Sequence, residues 1–221
     1  MPINAVVFDL DGILIDSEPV WEQVRRAFVA EHGGHWQRDS QSRLMGMSTA
    51  EWAAYLSGDL GVGLPPERVA AGVIERMTAA YAAQLPLLPG AIEAVRRIAE
   101  TRPAGLASSS PLPVVRDVLD RSGLAPFFGA VASSDEVARG KPAPDVYLLA
   151  TSRLAVDPAR AAAIEDSSNG LRSAAAAGLA VVAVPRPEFP PAPDTLALAE
   201  VVLDGPRPLD RLTPELLTGL R

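Results

Sequence analysis

Two aspartates stand at the end of the first apolar run of the chain. This run covers residues 5–10, with Asp9 near its end and Asp11 directly after it. Because side chains alternate in an extended chain, two residues that are two apart point to the same side. Two like charges this close stay ionised together only when a cation lies between them. The spacing therefore predicts a cation-binding site at the end of this run.

Polar residues also follow the later apolar segments. Three serines at 108–110 follow one segment, Lys141 lies beyond the next, and Glu165 and Asp166 follow another. A set of carboxylate oxygens suits a hard divalent ion, Mg²⁺ foremost. A divalent ion and an ammonium group can neutralise a phosphate while one carboxylate attacks it. The residue types therefore predict phosphoryl transfer, and Lys141 is notable as the only lysine among 20 basic residues.

The composition excludes several other kinds of site. The chain of 221 residues has no cysteine, which excludes disulfides, thiolate metal sites and cysteine nucleophiles. Its two histidines, His32 and His35, lie in a polar segment that we interpret as a solvated loop. The net charge of -7 and pI of about 4.9 argue against nucleic acid or an anionic membrane as partner.

The chain shows no membrane or export segment by sequence. There is no apolar run of 18 residues, and the N-terminal region is not cationic, with Asp9 and Asp11 interrupting its first apolar run. A cytoplasmic protein is expected. Its length suits one large domain or one domain with an insertion.

The periodicity of apolar residues predicts a helical region followed by a regular alternation. Helices are expected from Ser17 to Gly33, after a capping box formed by Ser48 and Glu51, and from Pro65 to Tyr81. Further on, strands and helices are expected in turn at 91–99 (helix), 104–107 (strand), 114–122 (helix), 130–133 (strand), 145–154 (helix), 161–164 (strand), 171–177 (helix), 179–184 (strand) and 201–203 (strand).

This pattern predicts an α/β fold. Strands alternating with helices favour a doubly wound, Rossmann-like parallel sheet. The helical region between the first strand and the rest predicts an inserted all-helical cap domain at 16–86, with the core formed by 1–15 and 87–221. Ligands bind beyond the carboxyl ends of such strands, where the acids, serines and lysine all fall. The proline-rich stretch at 185–193 is expected to be a surface loop.

Four segments resemble, in order, the motifs of the haloacid dehalogenase superfamily. They are Phe8-Asp9-Leu10-Asp11-Gly12, Leu106-Ala107-Ser108-Ser109-Ser110, Lys141-Pro142-Ala143-Pro144-Asp145 and Ile164-Glu165-Asp166-Ser167. The resemblance covers nearly the whole chain and includes a helical cap after the first motif. It is strongest to the β-phosphoglucomutase-like branch, and within it to hexitol phosphate and 2-deoxyglucose-6-phosphate phosphatases. It implies a Mg²⁺-dependent phosphatase acting on a small phosphorylated metabolite.

The resemblance also implies roles for single residues. Asp9 is the implied nucleophile, which forms an aspartyl-phosphate, and Asp11 the implied general acid and base. Ser108 and Lys141 are implied to hold the phosphate, helped by backbone amides around Leu10 and Ser109. Implied Mg²⁺ ligands are Asp9, the Asp11 carbonyl, Asp166 and Glu165, the last directly or through water. Implied substrate contacts from the cap are Glu18, Trp21, Arg43, Gly46, Met47 and Trp52.

The sequence leaves other interpretations of these residues open. An isolated Asp-x-Asp is often a turn, and serines before a helix are often caps. Trp21 and Trp52 could pack the core of the cap or line a cleft. Phosphosugar mutases of this branch carry a histidine about where this chain has Trp21, and a basic residue where it has Thr49. They carry Lys-Asn where this chain has Pro111-Leu112. These differences favour hydrolysis over mutase activity.

Further alternatives concern the activity and the assembly of the protein. Dehalogenation is disfavoured, because Asp11 supplies an acid for an alcohol leaving group, which a halide does not need. A phosphoglycolate-type phosphatase and a non-catalytic, metal-binding regulator on the same scaffold are the remaining alternatives. A monomer is compatible with the sequence, which does not determine the oligomeric state.

Overall fold

A computed structural model describes residues 2–45 and 47–220. Its strands are β1 (Ala5–Phe8), β2 (Ala104–Ser108), β3 (Phe128–Ser133), β4 (Ala161–Glu165), β5 (Ala180–Ala183) and β6 (Val201–Val202). Its α-helices are α1 (Glu18–Glu31), α2 (Ser40–Leu44), α3 (Thr49–Ser57), α4 (Pro66–Ala83), α5 (Ala91–Ala99), α6 (Leu112–Ser122), α7 (Asp145–Arg153), α8 (Ser168–Ala176), α9 (Pro193–Leu196) and α10 (Pro214–Thr218).

The strands form one parallel sheet in the order β3-β2-β1-β4-β5-β6. From β1 the chain winds first to one side and then, through β4, to the other. The predicted doubly wound sheet is therefore confirmed. Its change of winding direction lies between β1 and β4, where ligands bind in folds of this kind.

Strand β1 lies in the centre of the sheet and is buried on both faces. Val6 and Phe8 pack into one apolar cluster, while Ala5 and Val7 pack into another on the opposite face. Alternation of side chains in a strand explains the division, and burial on both sides explains why the segment has no polar residue. Complete burial of a side chain as large as Phe8 contributes about 1.5–3 kcal/mol.

Helices α1 to α4 lie between β1 and α5 in the chain. The backbone N–H of Asp16 donates to the carbonyl of Pro86 at 2.8 Å, and Ile15 pairs with Leu87, so the chain leaves and rejoins the sheet at adjacent points. The capping box of Ser48 and Glu51 begins α3, as expected. Helix α2 was not predicted, because five residues are too short to show a helical period.

No helix among the residues described is both long enough and apolar enough to cross a membrane.

Candidate active site

The carboxyl ends of the central strands bring the predicted acidic and serine residues together. Asp9 follows β1 directly, Ser108 is the last residue of β2 and Glu165 the last of β4. Phe8 is in register with Leu106 on one side and Ile164 on the other, so the three strands end at nearly the same level. Parallel pairing thus assembles residues that are far apart in the chain at one edge.

Lys141 joins two of these strand ends. Its Nζ donates to Asp9 Oδ1 at 2.8 Å and to Glu165 Oε1 at 2.7 Å. The Lys141 side chain is 3% exposed, and its Nζ lies 5.0 Å from the centre of the Tyr147 ring. A buried ammonium needs paired charges around it. The lysine therefore holds the two carboxylates at a set separation across the β1–β4 boundary.

Glu165 is fully buried and each of its oxygens accepts hydrogen bonds. Besides Lys141, Oε1 accepts from the Tyr147 hydroxyl at 3.3 Å. Oε2 accepts from the backbone N–H groups of Asp166 and Ser167 and from the Ser167 hydroxyl, at 2.8, 2.9 and 3.1 Å. A carboxylate held this completely acts as a fixed anchor for Lys141.

Gly170 leaves the space that the Glu165 carboxylate occupies. A Cβ at this position, in the first turn of α8, would overlap that carboxylate. Gly170→Ala is therefore expected to displace Glu165 and its bond to Lys141. Overpacking of this kind costs about 1–3 kcal/mol, equivalent to a fall in melting temperature of about 2 to 12 °C. Thermal unfolding followed by circular dichroism measures it.

Gly219 offers a matched control for this substitution. It has a φ of -83°, and an added Cβ there would meet only the Leu216 carbonyl oxygen, at an ordinary 3.5 Å. Gly219→Ala is expected to leave the melting temperature nearly unchanged. Equal stability of the two alanine variants would show that Gly170 is not required for the position of Glu165.

Asp11 is held by two serine hydroxyls at the end of β2. Its Oδ2 accepts from Ser110 Oγ at 2.7 Å and from Ser108 Oγ at 3.2 Å, while Ser108 Oγ accepts from the Ser110 N–H at 2.9 Å. Asp11 Oδ1 is buried and has no hydrogen-bond partner in the described residues. One oxygen is therefore fixed by hydrogen bonds, whereas the other makes none to the described residues.

The remaining acids form a compact cluster. Single oxygens of Asp9, Glu165 and Asp166 lie within 4.8 Å of one another. Burial raises the pKa of Asp9 well above its usual range, with Lys141 opposing, and burial also raises the pKa of Asp166. Burial alone lowers the pKa of Lys141, but the charges of Asp9 and Glu165 outweigh it, and the net direction is upward. Lys141 alone therefore does not neutralise the negative charge of these three acids.

A cavity of about 340 Å³ opens over this edge of the sheet. The residues that line it come from the strand ends, from helices α1 to α3 and their connections, and from the segment after β5. They are Asp9, Asp11, Gly12, Glu18, Trp21, Arg25, Leu44, Met45, Met47, Trp52, Ser109, Ser110, Pro111, Lys141, Asp166, Ser167, Ser168, Asn169, Phe189, Pro190 and Pro191. The volume is within the usual range for small-molecule sites.

Three residues expected at the phosphate or the metal lie behind the cavity wall. Leu10, Ser108 and Glu165 are each 0% exposed and are absent from the lining. The Leu10 side chain packs in the apolar core, Ser108 faces Asp11, and Glu165 faces Lys141. Ser109 does line the cavity, next to Ser110. Sequence reasoning placed Ser110 at this edge but assigned it no role.

Most of the substrate contacts expected from the cap reach the cavity, but Arg43 does not. Glu18, Trp21, Met47 and Trp52 all line it. The Arg43 guanidinium instead lies 4.5 Å from the centre of the Tyr55 ring, and its Nη2 is 3.9 Å from Asp59. The expected contact of Arg43 with the cavity is therefore not seen in this structure, because an aromatic face and an acid hold its side chain elsewhere. Gly46 lies outside the described residues.

Both indoles serve the packing of the helices as well as the cavity. Trp21 and Trp52 are 4% and 1% exposed, and their ring centres are 6.0 Å apart. Trp21 and Trp52 therefore pack between the helices and also form part of the cavity wall.

His32 stacks on Phe28 at 4.2 Å between ring centres, and its Nδ1 is 2.8 Å from the Phe28 carbonyl oxygen.

Two features of the cavity were not recognised from sequence. Arg25 lies on the buried face of α1, where a charged residue among apolar positions was the available signal. The proline-rich stretch is not only a surface loop, because its residues 189–191 line the cavity. Arg186 in this stretch donates to Asp16 Oδ1 at 2.9 Å, which ties it to the point where the chain leaves the sheet.

Comparison with known proteins gives concordant matches. A family model of haloacid dehalogenase-like hydrolases matches residues 3–178. Hexitol phosphatase B of Escherichia coli K12 is 36% identical over 223 residues, covering 98% of this chain and 97% of that protein. A phosphorylated carbohydrates phosphatase of Thermotoga maritima is 32% identical, covering 80% and 82%. The crystal structure of CbbY from Rhodobacter sphaeroides with phosphate has a TM-score of 0.81 at 30% identity, covering 92% and 94%.

Proposed function

Because the chain belongs to the haloacid dehalogenase-like hydrolases and is a phosphatase of that family, we propose that it hydrolyses small sugar or sugar-alcohol phosphates through a phosphorylated Asp9. One observation carries this proposal. Asp9, fixed by Lys141, and Asp11, fixed by two serines, line the same cavity at the carboxyl edge of the sheet. The names of the relatives, a hexitol phosphatase and a carbohydrate phosphatase, support the substrate class.

In the first step, a carboxylate oxygen of Asp9 attacks the phosphorus of the bound ester. A bond forms between that oxygen and phosphorus, and the bond from phosphorus to the leaving oxygen breaks. Asp11 donates a proton to the leaving oxygen, so that a neutral alcohol departs. The free Oδ1 of Asp11 is the atom suited to carry this proton, because Oδ2 is committed to Ser108 and Ser110.

In the second step, water hydrolyses the phosphorylated Asp9. Asp11, now ionised, accepts a proton from the water as its oxygen attacks phosphorus. The bond between phosphorus and the Asp9 oxygen breaks, which releases inorganic phosphate and restores the Asp9 carboxylate. Lys141 stays beside Asp9 throughout and stabilises negative charge on the phosphoryl group.

The carboxylates at this edge fit a bound Mg²⁺. Asp9 and Asp166 line the cavity and offer oxygens within the cluster, whereas both oxygens of Glu165 already accept hydrogen bonds. Asp9 and Asp166 are therefore the proposed direct side-chain ligands, with the Asp11 carbonyl beside them, and Glu165 orients the site. When bound, Mg²⁺ neutralises phosphate charge and the crowding of these acids.

Helices α1 to α4 are proposed to act as the cap at 16–86 over a core of 1–15 and 87–221. Their contribution of Glu18, Trp21, Met47 and Trp52 to the cavity supports this division. The adjacent crossing points at Asp16 and Pro86 support a hinge between the two parts.

Removal of divalent metal tests the proposed function. Incubation with EDTA is expected to lower the rate of phosphate release from glucitol 6-phosphate by at least about 100-fold, since metal charge stabilisation is worth several kcal/mol. Addition of excess Mg²⁺ is expected to restore the rate, and the same concentration of Na⁺ is not. Release of phosphate is measured colorimetrically.

Two outcomes contradict the proposal. An unchanged rate in EDTA would exclude the metal-dependent mechanism. Absence of phosphate release from both glucitol 6-phosphate and p-nitrophenyl phosphate, with Mg²⁺ present, would contradict phosphatase activity toward these esters and favour the non-catalytic alternative.

A further inference from the structure

Arg25 is a cation within an apolar face. The buried residues of α1 are Trp21, Val24, Arg25, Phe28 and Val29. Arg25 is 5% exposed, yet it belongs to the lining of the cavity. A charged group removed from water costs free energy unless a partner replaces its hydration. The guanidinium of Arg25 therefore needs partners that replace the water it has lost.

The protein contacts of Arg25 are mainly aromatic. Its Cζ lies 4.3 Å from the centre of the Trp21 ring and 5.2 Å from that of the Trp52 ring. Aromatic faces attract a cation but accept no hydrogen bond in the plane of the guanidinium. Its Nε is buried and has no hydrogen-bond partner among the residues that the structure describes. The indoles thus position the group without satisfying its donors.

The nearby acid on the same wall is engaged elsewhere. Glu18 Oε2 accepts from Gln41 Nε2 at 2.6 Å. Burial lowers the pKa of Arg25 to about 10, although the charges of Glu18 and Asp11 act in the opposite direction. The same burial raises the pKa of Glu18 to about 7. The positive charge of Arg25 is therefore only partly compensated within the protein.

We propose that Arg25 determines substrate preference by binding a second oxyanion, a carboxylate or a second phosphate, on the leaving group of the phosphate ester. This inference rests on the proposed function. A neutral hydroxyl could accept a hydrogen bond from Arg25 but would leave its charge uncompensated. An oxyanion supplies both acceptor and charge, and the planar guanidinium is well suited to bind it through two parallel hydrogen bonds.

A pair of nearly identical substrates isolates this effect. Gluconate 6-phosphate and glucitol 6-phosphate differ only in a carboxylate in place of a CH₂OH group at the far end. The wild-type enzyme with Mg²⁺ is expected to show a value of kcat/KM about 10- to 100-fold higher for gluconate 6-phosphate, the range expected of a charge-assisted hydrogen bond. Glucose 1,6-bisphosphate, compared with glucose 6-phosphate, tests a phosphate as the second group.

Substitution of Arg25 is expected to remove the preference. Arg25→Gln keeps a polar side chain without charge and should bring the ratio of kcat/KM values to within about 3-fold of unity. Arg25→Lys keeps the charge and should retain part of the preference. Arg26→Gln is the matched control, since Arg26 is the next residue on α1 and is exposed, and its ratio should equal that of wild type. Melting temperatures establish that each variant is folded.

The outcomes separate this inference from the proposed function. A preference for the charged substrate that falls in Arg25→Gln, while hydrolysis of p-nitrophenyl phosphate is retained, supports the role of Arg25. Which of the two pairs shows the preference identifies the oxyanion. A wild-type enzyme that does not prefer either charged substrate, or a loss that is equal for charged and neutral substrates, overturns the role of Arg25 and leaves the phosphatase intact. Failure to hydrolyse any ester overturns the proposed function itself.

Discussion

Replacement of Asp9 by asparagine is expected to lower kcat/KM for p-nitrophenyl phosphate by at least about 10³-fold, or more than about 4 kcal/mol of transition-state stabilisation. The amide has nearly the same shape as the carboxylate, but it is neutral and is a far weaker nucleophile. The Lys141–Glu165 contact does not involve Asp9, so the surrounding site should persist. Steady-state phosphate release with Mg²⁺ measures the loss.

A trapping experiment ties this loss to the proposed intermediate. Wild-type enzyme mixed with ³²P-labelled substrate and quenched in acid should carry protein-bound label that hydroxylamine removes, as an acyl phosphate does. Asp9→Asn should carry none. Asp204→Asn is a suitable control, because the Asp204 side chain is 82% exposed and pairs with surface Arg211. Activity or labelling of Asp9→Asn at the wild-type level would show that another group is the nucleophile.

The fold of Asp9→Asn can be checked without metal. Burial makes the pKa of Asp9 higher in the folded protein than in the unfolded chain. The ionised carboxylate therefore lowers the free energy of unfolding, and does so increasingly as the pH rises from the unfolded pKa to the folded pKa. Asparagine removes this cost. The melting temperature of the metal-free variant at neutral pH should therefore equal or exceed that of wild type. A marked fall would show that the activity loss comes from unfolding.

Lys141→Arg is expected to lower kcat/KM by at least about 100-fold, even though the positive charge is kept. The Lys141 Nζ is a compact donor that fits between oxygens of Asp9 and Glu165 at 2.8 and 2.7 Å. A guanidinium is broader and planar, so it must displace one of these carboxylates in a space that is already closed by Tyr147. Displacement of Asp9 would misplace the nucleophile.

The reverse exchange on a nearby residue provides the control. Arg139 lies two positions before Lys141, its side chain is 70% exposed and it pairs with Asp145. Arg139→Lys should keep activity within about 2-fold of wild type, because an exposed ion pair of this kind contributes little. Lys141→Met, which removes the charge at similar length, should lose at least as much activity as Lys141→Arg. A fully active Lys141→Arg enzyme would show that a lysine is not required here.

The architecture and the core of the site could be predicted from the sequence. A continuous apolar run such as residues 5–10 is typical of a strand buried on both faces, and strands that alternate with helices favour a parallel sheet. Once the strands are parallel, the residues at their carboxyl ends must meet at one edge. This is why Asp9, Ser108 and Glu165, far apart in the chain, could be placed together.

Only the tertiary structure decided which side chains of the helices reach the cavity. Arg25 on α1 and Arg43 on α2 are the same residue type in neighbouring helices. Tyr55 and Asp59 hold Arg43 aside, whereas Trp21 and Trp52 hold Arg25 against the cavity. The proline-rich stretch joins the wall in the same way, through Arg186 and Asp16.

The physical reason for this difference is the range of the interactions involved. Apolar periodicity and strand-end placement depend on the order of residues along the chain, and the sequence states that order directly. The direction of an arginine, or the path of a proline-rich loop, depends on contacts with rings and acids from other elements. Those contacts exist only after the helices have packed on the sheet. The sequence alone therefore determined which residues meet at the strand ends, whereas the packing determined the walls around them.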